Sequence, residues 1–204
     1  MTKTAKKQKC RNILKSCVPG QPIKDLSNID FLMSIFLEHE EWEIKRGQGL
    51  NYITSMLTSY GNKCFQLIRV DGSSTDISFI SCIDKPSPMA KINKALRHAI
   101  KPDIIAYRDG AVVYGLTKCP FTNEVLTIDN THIDHYDLPF RDLVNLWIKD
   151  YDVKYLLGCI NKTSDNNIDT YFTDLNIVSS FRLFHNNNTN LRAVSKKANL
   201  SILR

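Results

Sequence analysis

Apolar residues recur along the chain at two spacings, one typical of helices and the other typical of strands. In the N-terminal part, Ser27 followed three residues later by Asp30 resembles a capping box, and the apolar positions after it predict a helix over 27–43. The segment 50–61 predicts a second helix that ends at Gly61, a residue type favoured just after helix ends.

A β-hairpin is predicted next. The segments CFQLIRV (64–70) and TDISFISC (75–82) are rich in β-forming residues and flank the turn-prone tetrapeptide DGSS. Helical spacing returns in AKINKALRHAI (90–100) and continues until Pro102, which kinks or ends a helix because it lacks an amide hydrogen.

The C-terminal part has shorter predicted elements. Strand-like segments at 111–118 and 124–128 flank a turn that contains proline, and 140–157 has helical spacing. After a polar loop, 178–185 predicts a strand and 191–199 a short basic helix. The pattern therefore predicts an α+β fold in two parts.

The positive charge of the chain lies at its two ends. The net charge is +6, and residues 1–24 carry seven Lys or Arg and no acid, while residues 175–204 carry five and no acid. A basic arm that cannot fold by itself is suited to bind phosphates, because its cations displace condensed counterions. Lys6, Lys7 and Lys9 are the predicted phosphate contacts of this arm. A solubilising tail would have the same composition.

These patterns divide the chain into a basic arm (1–24), a recognition module (25–108) and a C-terminal domain (109–204). No apolar run is long enough to cross a membrane and no signal-peptide core follows the first lysines, so we expect an intracellular, cytoplasmic protein. The six cysteines are scattered without a C-x-x-C pair, which predicts reduced thiols rather than a zinc knuckle or a disulfide framework.

The segment THIDHYDLPF (131–140) concentrates groups that can bind metals. If Asp134 and His135 end a strand that faces the helix with Asn199, the carboxylate and the amide oxygen are hard ligands suited to Mg²⁺. The adjacent imidazole can take a proton from water near neutral pH. Such a group would be a one-metal phosphodiester hydrolase site, whereas the alternative is a polar turn before a helix.

The same residues resemble the HNH (ββα-metal) endonucleases. In that family an Asp-His or His-His pair closes a strand, and a second strand and a helix follow. IDHYDLP matches the first part, and NLRAVSKKAN supplies Asn190 and Asn199, nine residues apart. The resemblance implies that Asp134 and Asn199 bind Mg²⁺ or Mn²⁺, that His135 is the general base and that Asn190 braces the loop. The long insertion over 140–179 departs from the family pattern.

Two further histidines and two basic residues lie near this motif in the sequence. His185 could be an extra or alternative metal ligand, and His132 lies two residues before Asp134, on the same strand face. Arg192 and Lys196 are four residues apart and would share one face of a helix, where they could clamp phosphate.

The N-terminal module resembles the DCL-like family, named for defective chloroplasts and leaves. The resemblance rests on FLEHEEWEIKRGQGLNYI, CFQLIRVDGSSTDISFISCI and KALRHAI, which span about 30–105. It implies nucleic-acid recognition, since plant members of the family are linked to plastid ribosomal RNA processing.

The loop IKRGQG within this module has a physical interpretation of its own. Gly47 and Gly49 would let backbone amides approach a phosphate while Lys45 and Arg46 supply charge, although a glycine loop is often only a turn. Arg69 could pair with Asp76 across the predicted hairpin as a structural contact.

Together these observations predict a small α/β DCL-like module joined to a C-terminal ββα-metal finger with a helical insertion. The predicted function is a divalent-metal-dependent HNH-type DNA endonuclease, similar to homing or nicking nucleases of phages. Its expected partner is double-stranded DNA, with RNA as a possible substitute, and it needs neither a membrane nor a small-molecule cofactor. The alternative is a non-catalytic DNA- or RNA-binding regulator, or a ribosomal RNA processing factor, on the same scaffold.

Overall fold

The computed structural model of the protein describes residues 1–58, 61–113, 115–162, 165–167 and 169–203. The chain divides into two compact units: unit 1 is Met1–Ser87 with Lys162–Asp169, and unit 2 is Pro88–Asn161 with Thr170–Arg204. Both units contain helices and a small antiparallel sheet, which confirms the predicted α+β class.

The boundary between the units differs from the expected one near residue 109. Helix α5 begins at Pro88 and runs to Ala111 without a break, so the chain enters unit 2 some twenty residues earlier than the sequence suggested. Residues 162–169, expected to be a simple polar loop, belong to unit 1, although Thr163, Ser164 and Ile168 lie outside the described residues.

Unit 1 packs helices against a three-stranded antiparallel sheet of order β1-β2-β3. Its elements are α1 (Lys3–Ser16), α2 (Leu26–Phe36), α3 (Trp42–Arg46), β1 (Leu50–Leu57), β2 (Lys63–Arg69), β3 (Ser74–Ile77) and α4 (Phe79–Asp84). The largest buried side chains of its core include Phe36, Phe65, Leu32, Ile35, Leu67 and Ile77.

The N-terminal basic segment is a packed helix, so the expectation of an arm that cannot fold is wrong. Thr2 caps α1, because its side chain accepts a hydrogen bond from the amide of Ala5. Cys10, Ile13 and Leu14 recur at helical spacing and are buried in the core of unit 1. Their burial holds the helix in place despite its lysines.

Segment 50–57 is strand β1, not the predicted helix. It pairs antiparallel with β2, with Ile53 opposite Leu67 and Ser55 opposite Phe65. The apolar spacing is compatible with either element, and pairing with β2 decides for the strand. Gly61 therefore lies in the connection between two strands, with Ser59 and Tyr60 outside the described residues.

The predicted hairpin is confirmed by the pairing of β2 with β3, but its second strand is shorter than expected. It ends at Ile77, because the Ser78 side chain accepts from the amide of Ser81 and caps α4. Helix α2 begins one residue earlier than predicted, and its cap is Asp25 instead of Ser27. It ends at Phe36 instead of continuing to residue 43, and the separate helix α3 begins at Trp42.

Unit 2 consists mainly of helices around a two-stranded sheet of order β4-β5. Its elements are α5 (Pro88–Ala111), β4 (Thr131–His135), α6 (Phe140–Trp147), α7 (Val153–Gly158), α8 (Leu175–Asn188), β5 (Leu191–Ser195) and α9 (Lys196–Ser201), with a 3₁₀ turn at Ile148–Asp150. Pro102 lies inside α5, so it does not end the helix.

Several predicted elements of unit 2 are different in the structure. Segments 111–118 and 124–128 form no described strand pair and touch through a single bridge between Lys118 and Val125. Residues 178–185 lie within α8, whose N-cap is Asp174. Residues 191–199 are a strand followed by a helix, since 191–195 find a pairing partner in β4.

The predicted helical stripe of 140–157 is confirmed in its first part, where Val144 and Trp147 are buried in the core of unit 2. All six cysteines are free thiols, as expected. No helix in the described residues combines the length and the apolar character that a membrane crossing requires.

Candidate functional site

Strands β4 and β5 and helix α9 form a continuous local frame in unit 2. The strands pair from Thr131 opposite Ser195 to His135 opposite Leu191, and α9 starts directly after β5. Ser195 ends the strand and caps the helix, because its hydroxyl accepts from the amide of Ala198. The order along the chain is therefore strand, insertion, strand and helix.

Helix α9 brings Asn199 back to strand β4. The Asn199 side chain donates from Nδ2 to Nδ1 of His132 at 2.9 Å. His132 and Asp134 are two residues apart on a strand, so they lie on the same face of it. Asn199 therefore contacts the face of β4 that carries Asp134, and its direct partner there is His132. Burial, followed by the charge of Lys196, lowers the pKa of His132.

Asp134 forms an ion pair across the two strands. Its register partner on β5 is Arg192, whose Nε and Nη2 lie 2.8 and 2.7 Å from Asp134 Oδ2. Arg192 is thus on a strand and not on the basic helix predicted from the sequence. Both contacts use Oδ2, which leaves Oδ1 outside this ion pair.

His135 is the last residue of β4 and contacts a histidine from the insertion. Its Nε2 lies 3.0 Å from Nε2 of His185, which is on α8 and is 1% exposed. Nδ1 of His185 lies 3.2 Å from Oδ1 of Asn186. Both nitrogens of His185 therefore have neighbours, which argues against the predicted role of His185 as a metal ligand.

The pKa of His135 is lowered to about 4. Burial is the largest cause, His185 and Arg97 add to it, and Asp134 acts in the opposite direction. The ring is therefore neutral at pH 7 and able to accept a proton.

Asn190 connects the two strands at their open end. Its Nδ2 donates to Asp137 Oδ2 at 2.6 Å, and its carbonyl accepts from the amide of Tyr136 at 3.2 Å. Asn190 thus ties the segment after β4 to the start of β5.

The predicted phosphate contacts in unit 1 are mostly engaged in internal interactions. Lys45 is 3% exposed, and its Nζ donates to the carbonyl of Asp76 at 2.7 Å. Lys7 pairs with Asp84 at 2.6 Å, and Nζ of Lys9 lies 4.2 Å from the centre of the Phe31 ring. Burial removes Lys45 from any phosphate-binding role, so this prediction is wrong.

The glycine loop of unit 1 packs on an arginine. A Cβ at Gly47, whose φ is +54°, would lie 2.8 Å from Cδ of Arg69. Arg69 donates through Nε to the carbonyl of Lys45 at 2.9 Å and forms a two-pronged ion pair with Asp165. The loop therefore surrounds a buried guanidinium, and Arg69 pairs with Asp165 instead of the expected Asp76.

Arg46, also predicted to contact phosphate, is exposed and pairs with Glu43 at 2.6 Å.

Basic side chains near the β4–β5 frame are more accessible. Lys196 and Lys197 begin α9 and are both exposed, and Arg192 is partly exposed beside Asp134. The rings of Phe121 and Tyr136 flank the Arg192 guanidinium at 4.7 and 5.1 Å.

In unit 1, Lys6 of α1, which was also predicted to contact phosphate, is partly exposed.

Three residues of this region were not identified from the sequence. Arg97 lies 4.0 Å above the ring of Phe140, which in turn packs edge-on against His135. Asn186 contacts Nδ1 of His185. Cys119 is buried, and its pKa is lowered to about 6: burial raises it, but hydrogen bonds from Ser195, Thr122 and Phe121 outweigh that effect. Arg97 has no local sequence signal, because its partner Phe140 is distant in the chain. Asn186 and Cys119 have neighbours nearby in the sequence, but their roles depend on the distant His135 and Ser195.

The described residues contain no group of three or more His, Cys, Asp or Glu side chains placed to hold a metal ion. A closed structural metal site of those ligands is therefore not formed by this part of the chain. The proposed ligands Asp134 and Asn199 are only two side chains, and one of them is an asparagine, so they do not form such a group. Magnesium sites that retain several water ligands need only one or two protein carboxylates.

The chain is similar to proteins whose functions are unknown. Residues 11–83 match the model of a family described as "Protein of unknown function (DUF3223)". An uncharacterized protein of Rhodospirillum rubrum, with a structure solved in solution by NMR, is 25% identical over 40% of this chain and 77% of its own, with a TM-score of 0.36. No curated protein is significantly similar in sequence.

Proposed function

We propose that unit 2 is an HNH-type endonuclease that hydrolyses phosphodiester bonds of DNA with a divalent metal ion. The observation that carries this proposal is the local frame of β4, β5 and α9. It ends one strand with Asp134 and His135 and returns Asn199 to that strand, where it contacts His132 at 2.9 Å. The sequence motif and the spatial order of its residues thus point to the same chemistry.

The donors in this frame fit a magnesium or manganese ion. Asp134 Oδ1 lies outside the ion pair with Arg192, and Asn199 contacts His132 through its nitrogen, so that its amide oxygen is the remaining donor. Both are hard oxygen donors, the kind that Mg²⁺ prefers, and Asn199 reaches from α9 to the β4 face that carries His132 and Asp134. When bound, the ion would neutralise charge on the scissile phosphate and on the departing oxygen.

The chain's own residues supply the other parts of the reaction. His135, neutral at pH 7, is the general base that accepts a proton from the attacking water. Lys196 and Lys197, exposed at the start of α9, attract the phosphate backbone next to the reacting group. Asn190 holds the segment that follows His135 against β5.

Substrate recognition in this proposal belongs partly to unit 1, as a DCL-like nucleic-acid-binding module. The exposed positions of α1 include Lys3, Arg11 and Lys15, which are candidates for phosphate contacts in place of Lys7 and Lys9. Double-stranded DNA is the substrate that the HNH resemblance favours, and RNA is the alternative substrate.

A plasmid-nicking assay with Mg²⁺ or Mn²⁺ tests the proposal. We expect the wild-type protein to convert supercoiled plasmid to open-circle or linear forms, and His135→Ala and Asn199→Ala to lose this conversion. His98→Ala is the matched control, because His98 packs against Tyr171 elsewhere in unit 2. Equal inactivity of wild type and His135→Ala over both metals would contradict the proposal.

One observation favours the non-catalytic alternative, a DNA- or RNA-binding regulator or a ribosomal RNA processing factor. The Asp134 carboxylate is neutralised by Arg192, so its charge is already balanced without a metal ion. In that case the protein would bind nucleic acid with an affinity that is independent of Mg²⁺, and Asp134→Asn would leave binding unchanged. Binding to labelled duplex DNA and to RNA, with and without EDTA, separates this alternative from the nuclease.

A further inference from the structure

We propose that His185 is a positioning residue that fixes the tautomer and the orientation of His135, so that Nδ1 of His135 is the nitrogen that takes up the proton. The inference rests on the proposed nuclease function for its catalytic meaning. The tautomer of His135 is inferred from hydrogen bonds between side chains, and it can be measured without any cleavage.

The two imidazoles share one hydrogen. Nε2 of His135 and Nε2 of His185 are 3.0 Å apart, a normal hydrogen-bond distance, and the rings meet edge-on with an angle of 76°. Only one of the two nitrogens can carry the hydrogen of this bond, while the other must offer its lone pair.

Asn186 determines which ring donates. Its side-chain oxygen, 3.2 Å from Nδ1 of His185, accepts hydrogen bonds only, so Nδ1 of His185 carries the hydrogen. A neutral imidazole has one N–H, and Nε2 of His185 is therefore the acceptor. His135 then donates from Nε2, and its unprotonated nitrogen is Nδ1. The tautomers are assigned from this hydrogen-bond pattern.

Packing holds both rings in this arrangement. His185 is almost completely buried on α8, 6.3 Å from the ring of Phe181 between centres. The ring of Phe140 packs edge-on against His135 at 5.5 Å. A buried donor or acceptor without its partner is unfavourable, so the pair resists rotation of either ring.

The proposal gives the insertion between the two strands a function in the site. Helix α8 supplies the residue that orients the base, as an orienting group does for the catalytic histidine of other hydrolases. With this assignment, neither nitrogen of His185 is left for an ion.

NMR of the ¹⁵N-labelled protein tests the assignment directly. Long-range ¹H–¹⁵N correlations distinguish protonated from unprotonated ring nitrogens, and the signals of His135 are those missing in His135→Ala. We expect Nε2 of His135 to be protonated and Nδ1 unprotonated at pH 7. Protonation of Nδ1 instead, or a mixture of tautomers in the wild-type protein, would overturn the proposal.

His185→Phe removes the acceptor while it preserves a ring in the packed position. We expect His135 in this variant to become a mixture of tautomers, and an unchanged Nε2–H state would contradict the role of His185. His98→Phe is the control for a ring exchange elsewhere in unit 2, and we expect it to leave the signals of His135 as they are.

Cleavage kinetics add a readout that a purely structural role would not change. With the nuclease function, His185→Phe should lower kcat roughly 10- to 100-fold with little change in KM, the size of effect seen when a residue that orients a ligand is lost. His185→Gln, whose Oε1 can accept from Nε2 of His135, should recover part of kcat. If His135 has the expected tautomer but the protein never cleaves DNA, the nuclease proposal is refuted and the role of His185 is supported. If the protein cleaves DNA but His135 has the opposite tautomer, the nuclease proposal is supported and the role of His185 is refuted.

Discussion

Units 1 and 2 use their charged residues in opposite ways. In unit 1, Lys45 comes from the glycine loop that was predicted to bind phosphate, yet it is buried and paired with Asp76. Arg69, which packs on this loop, is buried and paired with Asp165. In unit 2, Arg192 beside Asp134 remains partly exposed. Charge and glycine in a motif therefore do not distinguish a binding loop from a structural one; burial does.

The physical reason is the cost of removing a charge from water. A buried cation is stable only with acceptors around it, and Lys45 has the Asp76 carbonyl at 2.7 Å and its carboxylate at 3.8 Å. Such a residue stabilises the fold and has no free donor to offer a ligand. The partly exposed groups of unit 2 keep contact with solvent, where a phosphate can reach them.

The largest expected effect is the loss of the buried cation of unit 1. Lys45→Met leaves the Asp76 carboxylate, already without a hydrogen bond at Oδ1, buried beside an apolar chain. We expect a decrease of about 3–5 kcal/mol in the free energy of unfolding, the usual effect of breaking a buried pair. Urea unfolding followed by Trp42 fluorescence in a Trp147→Phe background measures it.

Arg46→Met is the matched control, because Arg46 is the next residue but is exposed and pairs only with Glu43. We expect it to change the unfolding free energy by less than about 0.5 kcal/mol. Equal effects of the two substitutions would contradict the contrast between buried and exposed charge.

The units should also respond to pH in opposite directions. In unit 1, burial raises the pKa of Cys10 to about 11 and that of Cys82 to about 12, against 9.0 in the unfolded chain. The unfolded chain loses these protons first, so unit 1 is fully stabilised below pH 9 and loses stability as the pH rises towards 12.

In unit 2, folding lowers the pKa of two groups, so stability increases with pH. The pKa of Cys119 is lowered to about 6 and that of His135 to about 4, so the unfolded chain binds more protons than the folded one between pH 4 and 9. Stability therefore increases as the pH rises through this range, by up to about 1.4 kcal/mol per pH unit for each group. From about pH 7 to 9, urea midpoints from Trp147 should rise, and Cys119→Ser should abolish the rise. Above about pH 9, the midpoints from Trp42 should fall.

A smaller effect is expected at the glycine loop of unit 1. Gly47→Ala requires a positive φ and places a methyl group 2.8 Å from Arg69 Cδ, whereas Gly72→Ala has a similar φ of +83° and no atom within 4 Å. Gly72→Ala should cost about 1–2 kcal/mol for its positive φ. Gly47→Ala should cost more, because its φ of +54° and ψ of −133° lie outside the left-handed helical region and its methyl group meets Arg69. Urea unfolding measures both costs, and equal costs would contradict this difference.

The smallest effect concerns nucleic-acid affinity. If Lys196 and Lys197 each neutralise one phosphate, replacing both with Gln should reduce the slope of log affinity against log salt by about 2. Replacing Lys7 and Lys9 should leave the slope unchanged, because Asp84 and Phe31 already engage them. Titration of labelled duplex DNA at several salt concentrations gives both slopes, and the reverse result would assign the contacts to α1.

Much of the local organisation could be predicted from the sequence. The hairpin of β2 and β3, the helical segment 90–100 within α5 and the strand that ends at His135 follow from short-range pattern and turn chemistry. The order of Asp134, His135, Asn190 and Asn199 along the chain is a property of the sequence itself.

The errors share one physical cause. Residues 50–57 and 191–195 became strands because they pair with β2 and β4, and 178–185 became helix because Asp174 caps it and Phe181 packs in the core of unit 2. These partners are distant in the chain, so apolar spacing within a short window cannot identify them.

By itself, the sequence determined which chemical groups are available and where the short-range elements begin, since those depend on neighbouring residues. Only the tertiary structure decided that Lys45 is buried, that Asp134 pairs with Arg192 and that His185 contacts His135. Such contacts join residues tens of positions apart, and whether a charge is solvated or enclosed depends on the packing that surrounds it.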